Sequence, residues 1–187
     1  MTTSFARSLT LSALILAVLL SRAQHRNDPL TPQEIDQIRD SSWDPQQRLT
    51  LYVKFARARL DSLEQLRNDP KVKNHAEQTH DKLDDFAHIY DELNDNIDTY
   101  VERRDDIRKP LKTIIAADTE FQAKLRALKD AAGVTPDEAR QYEFVLSAAL
   151  ESVDTSADDH RKLLADQEEA AKHRKKSDSK QSASRNE

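Results

Sequence analysis

The 187-residue chain contains no cysteine and a single glycine, Gly133. Without cysteine no disulfide staples the fold, and no lipidated cysteine anchors the chain after a leader. The shortage of glycine excludes more. Phosphate-cradling loops, dinucleotide fingerprints and tight hairpin turns need glycine where φ is positive or where backbone must approach a ligand. None of these can be built here in its usual form. Aromatic residues are also scarce, at 5%, with one tryptophan, Trp43. What the chain has instead is charge. Charged residues make up 34% and hydrophobic residues 37%, the profile of exposed amphipathic helices and not of a sheet with a deep pocket.

The first residues, MTTSFARSLTLSALILAVLLSRAQ, read as a secretory signal peptide over 1–23. Arg7 supplies a positive n-region, Leu9 to Leu20 an apolar stretch, and Ser21 and Ala23 the small residues of a cleavage site. The apolar run is shorter than the roughly 20 residues that span a bilayer. The expectation is export to the periplasm or outside the cell, with contact to the membrane only through the cleaved leader. The remaining residues, 24–187, carry 27 basic and 34 acidic side chains, net −7. The last sixteen, 172–187, hold six basic and two acidic residues. The body is therefore acidic and the tail basic. An acidic body argues against a nucleic-acid surface, which needs clustered Lys and Arg.

Residues 24–30 read as a disordered leader and 31–171 as one helical domain. Thr31-Pro32-Gln33-Glu34 has the cap, the early proline and the acid of a capping box, opening a short helix to about Asp40. Asp44-Pro45-Gln46-Gln47 repeats the signal. The alternation Leu49, Leu51, Val53, Phe55 resembles a strand, but the capped start and the continuation into ARARLDSLEQL favour a helix over 45–68. Leu49, Val53, Ala56, Leu60 and Leu63 form its stripe. The apolar turns at 49–56 predict more than one neighbour. Asp69-Pro70 marks the next start, and Thr135-Pro136-Asp137-Glu138 another after an αL stop at Gly133. The last helix should fade near Ala171, leaving 172–187 as a disordered basic tail.

The central segment poses the main question. From Leu83 the apolar spacing alternates three and four through Phe86, Tyr90, Leu93, Ile97 and Tyr100. Carried across Pro110 it continues through Arg104, Ile107, Leu111, Ile114, Asp118, Phe121, Leu125, Leu128 and Ala132. Thirteen of these fifteen positions are apolar, a coiled-coil seam with Arg104 and Asp118 as polar exceptions that set register. Five of the six prolines follow Asp or Thr, good cap residues, whereas Pro110 follows Lys109. The expected fold is all-α: an elongated helical bundle or coiled coil with one long central helix over about 70–132, kinked at Pro110, and antiparallel flanking helices. The alternative is a clean break at 106–109, since the residue before proline avoids the α region. The continuous helix would be about 95 Å long. Much of such a rod is two helices thick, which favours self-association or a protein partner.

Glu77, His80, Asp84 and His88 have ligand chemistry that suits a surface zinc site. Glu77 and His80 match the Glu-x-x-His spacing of di-iron bundles, but the seam turns His80, Asp84 and His88 outward and a second such pair is missing. They are weighed against a plain solvated helix face, and no metal, cofactor or catalytic residue is assigned. Trp43 stands where a hydrophobic staple would pack near residue 48. LTPQEIDQIR at 30–39 resembles the LTxxQ element of small periplasmic stress chaperones of the Spy and CpxP kind, with Glu34 where that element has Gln. That resemblance implies binding of unfolded clients as a holdase. WDPQQRLTLYVKFARARLDSLEQL and RKPLKTIIAADTEFQAKLRALK resemble uncharacterised exported bacterial helical proteins, which bring no activity. The function expected is a non-enzymatic protein-interaction or structural role in the cell envelope, with a holdase and a weak zinc binder as alternatives.

Overall fold

Caps and prolines divide this chain before any tertiary contact does. The computed structural model describes residues 28–131 and 134–183. The signal-peptide reading of 1–23 and the Gly133 stop lie outside them. Five helices follow: α1 (Pro32–Asp40), α2 (Pro45–Asn68), α3 (His75–Glu102), α4 (Arg108–Lys129) and α5 (Pro136–Ala183). Among the described residues there is no strand, and no helix is long and apolar enough to cross a membrane. The Thr31 hydroxyl accepts from the Glu34 N–H and Glu34 reaches back to the Thr31 N–H, completing the capping box of α1. Asp44 accepts from the N–H groups of Gln46 and Gln47 at the start of α2. Thr135 accepts from the Glu138 N–H at the start of α5. Each cap satisfies donors that a helix start leaves orphaned.

The single long central helix over 70–132 does not form. The chain breaks at 103–107 and reverses. Arg104 takes φ 61°. Its N–H donates to the Val101 carbonyl, and the Asp105 N–H donates to the Tyr100 carbonyl at 2.9 Å. That pair of bonds is a Schellman motif with arginine where glycine usually stands. Arg104 is thus an exposed turn residue and not a seam position. Pro110 falls in the third position of α4, where its missing N–H would have had no intrahelical partner in any case. Gln167 of α5 clamps the turn from the side. Its amide oxygen accepts from the Ile107 N–H at 3.2 Å and its NH₂ donates to the Asp105 carbonyl at 3.1 Å.

The helices form a bundle in which consecutive elements run antiparallel. Hairpins α2/α3 and α4/α5 lie side by side, so that α2 neighbours α4 and α3 neighbours α5. The latter pairs run parallel: Arg57 meets Glu120 and Lys124 meets Asp61, while Asn94 meets Ser156. α3 and α4 face each other across the diagonal. Phe86 and Phe121 meet there edge to face at 5.3 Å, with Tyr90 stacked on Phe86 at 5.8 Å. The rod of paired helices is therefore replaced by a core shared by four helices. Each fully buried Leu or Phe in it stabilises the fold by about 1.5–3 kcal/mol. The stripe Leu49, Val53, Ala56, Leu60, Leu63 and the seam from Leu83 to Tyr100 are buried as expected. So are Ile107, Leu111, Ile114, Phe121 and Leu125 beyond the turn. α2 touches α1, α3 and α4, which accounts for its apolar turns at 49–56.

Two boundaries shift. α3 begins at His75 and not at Pro70, with no side-chain cap on Asn74. Residues 28–30, expected as part of a loose leader, are tied down: the Pro29 carbonyl accepts from Arg59, and Leu30 packs on the core. α5 is helical to Ala183, and the core it contributes ends with Leu163 and Leu164.

Candidate functional site

The polar residues of greatest interest lie at the bundle centre, where α3, α4 and α5 meet. Asp118 of α4 is fully buried and His160 of α5 is 4% exposed. Tyr90 of α3 donates its hydroxyl to Asp118 Oδ1 at 2.8 Å. His160 Nδ1 lies 2.9 Å from Asp118 Oδ2. Both carboxylate oxygens are thus engaged by side chains from two other helices. A carboxylate so placed tolerates burial only because these donors replace water. Burial foremost, and then the charge and hydrogen bond of Asp118, push the Tyr90 phenol far above its ordinary value, with Ser156 acting in the opposite sense. With Nδ1–H donating to Asp118, the ring keeps Nε2 as its second functional atom.

The cluster borders a groove of about 350 Å³ between the parallel helices α3 and α5. Asn94, Ile97, Asp98 and Val101 line one wall, and Ser156, Asp159, His160 and Leu163 the other. Asn94 Nδ2 donates to Ser156 Oγ at 3.1 Å, while Asn94 Oδ1 is buried without a hydrogen-bond partner. Asp98 and Asp159 stand exposed.

Asp118 was legible as a seam exception, and Tyr90 as an apolar seam position. His160 was missed, although a signal existed. Between Ala157 and Leu164 the apolar spacing of the last helix jumps by seven, and His160 occupies the skipped core position. The metal candidates are scattered over the surface. Asn74 donates to Glu77, His80 pairs with Asp81 at 3.6 Å, and His88 with Asp84 at 3.7 Å. Among the described residues no group of three or more His, Asp or Glu side chains is placed to hold a metal ion. The staple expected of Trp43 is absent, for its side chain is 94% exposed. Phe144 on α5 is 88% exposed. Comparison with protein-family models, with curated proteins and with solved structures finds no match to this chain.

Proposed function

We propose that this chain is a non-enzymatic interaction protein of the cell envelope, exported by its leader and acting through its surface on a protein partner or a second copy. The observation that carries the reading is the exposure of two large aromatic side chains, Trp43 and Phe144. Tryptophan is highly buried on average in folded chains and is enriched among residues that dominate binding energy. The two lie toward opposite ends of the bundle, since α2 starts near Trp43 and α5 starts near Phe144. Such a molecule offers two separate apolar contacts on an acidic body. A protein contact fits that surface better than nucleic acid does. The test is capture from an envelope extract with the tagged chain, alongside light scattering at micromolar concentration. The expected result is a defined partner or a dimer that is lost in Trp43→Ala or Phe144→Ala variants with unchanged melting. A strict monomer whose captured proteins are unaffected by either substitution overturns the reading.

A further inference from the structure

We propose that α1 and the residues 28–31 before it form a hinged cover on the bundle, which opens as a unit while α2 to α5 stay folded and uncovers Phe55 of α2. The role given to Phe55, a third aromatic contact beside Trp43 and Phe144, rests on the interaction reading above; the opening itself does not. Phe55 stands one residue, about 100° around the helix, from the core stripe at Ala56. It lies on the far side of α2 from Arg57, which pairs with Glu120 of α4. It is nevertheless 2% exposed. Arg48, Tyr52, Phe55 and Arg59 follow one another at four, three and four residues and so share that side of α2. Both arginines of the row hold α1. Arg48 Nη1 donates to the Ile38 carbonyl at 3.1 Å. Arg59 donates to both carboxylate oxygens of Glu34, at 3.0 and 2.5 Å, and to the Pro29 carbonyl at 2.6 Å. α1 therefore lies along this row, with Phe55 beneath it.

The cover is held unlike the rest of the molecule. Among the helices, α1 approaches α2 alone. It contributes one buried side chain, Ile38, and Leu30 before it packs partly on the core. At nine residues it is shorter than the roughly 12–15 at which a helix becomes even marginally stable alone in water, so its structure depends on that contact. Its grip is mostly polar, through the largely buried Glu34–Arg59 pair. The link to α2 is free to pivot. Its backbone bonds are local, from the Ser42 N–H to the Arg39 carbonyl and from the Asp44 N–H to the Ser41 carbonyl. By contrast, the turn at 103–107 is clamped from another helix by Gln167. An element with few buried apolar contacts opens locally, at a smaller free energy than the whole domain.

The test is amide hydrogen exchange of the ¹⁵N-labelled full chain, at urea concentrations below its unfolding transition. The amides of residues 35–40 in α1 should exchange at least about a hundredfold faster than those of Leu93 and Ile97 in α3, with little dependence on urea. Glu34→Gln should speed the α1 exchange about tenfold, the loss of one charge-assisted hydrogen bond. The chain has no cysteine, so one introduced thiol reports access. Phe55→Cys should react with Ellman's reagent at least about a hundredfold faster than Leu93→Cys, whose thiol is reached only by global unfolding. Equal rates and equal urea slopes for α1 and α3 overturn the cover, because α1 then leaves only with the whole bundle. Fast α1 exchange with Phe55→Cys as protected as Leu93→Cys overturns it too, because α1 then frays in place. Failure here with Trp43- and Phe144-dependent capture intact sinks the cover alone. Loss of that capture with the opening intact sinks the interaction reading alone.

Discussion

Replacing Arg104 with glycine should stabilise this protein. Arg104 sits at φ 61°, in the left-handed region that costs an L-residue roughly 1–2 kcal/mol. Glycine adopts that conformation freely but surrenders about 0.5–1 kcal/mol through its larger unfolded-state entropy. The net expectation is a gain of about 0.5–1 kcal/mol, or about 1–4 °C in melting temperature for a domain of this size. The neighbouring Arg103 has φ −74°. There glycine gains nothing, and Arg103→Gly should cost up to about 1 kcal/mol. Urea unfolding followed by circular dichroism measures both. The midpoint should rise for Arg104→Gly and fall for Arg103→Gly, with the same slope as the wild type. The sign is decisive because the two architectures oppose each other. Were 70–132 one continuous helix, Arg104→Gly would place glycine in a helix interior and destabilise by about 1 kcal/mol. A fall or no change in the midpoint refutes the reversal at 103–107.

Gln167→Ala removes both amide bonds to the turn and leaves the Ile107 N–H and Asp105 carbonyl to find other partners; a loss of about 1–3 kcal/mol in urea unfolding is expected. Tyr90 has a folded phenol pKa raised above its unfolded value of 10.0. Its contribution is therefore fully present below about pH 10 and is lost as pH rises toward the folded value. Denaturation midpoints at a series of pH values should fall above about pH 10, and Tyr90→Phe should flatten that part of the fall. Glu34 behaves in the opposite sense. Burial disfavours its charge, but the Arg59 hydrogen bond, the Thr31 N–H and the Arg59 charge outweigh it and hold its pKa below the ordinary value. Its contribution is present above the ordinary glutamate range and lost as pH falls through the lowered folded value. Glu34→Gln should be less stable than wild type at neutral pH, and the gap should close on acidification; a gap that stays constant refutes the account.

The composition, the caps and the three-four spacing were enough to determine an all-α chain, its helix starts at Pro32, Pro45 and Pro136, and most of the side chains that fill the core. These are local facts. Capping residues satisfy orphan N–H groups within one turn, and an apolar stripe marks a buried face whatever covers it. Direction is not local. Tyr100 and Ile107 are seven residues apart and both face the core, so the heptad phase passes through 103–107 unchanged whether the chain continues or reverses. The stop at Arg104 carries none of the usual signal, because arginine stands where glycine or asparagine normally does. What decides it is tertiary. Reversal lets α3 and α4 face each other across a four-helix core, and Gln167, sixty residues away, satisfies the turn's backbone. The buried Tyr90–Asp118–His160 cluster has the same origin. Its members lie on three helices, and only packing brings them to hydrogen-bond distance. Sequence marked the polar interruption at Asp118, but the partners that make its burial tolerable exist only in the assembled bundle.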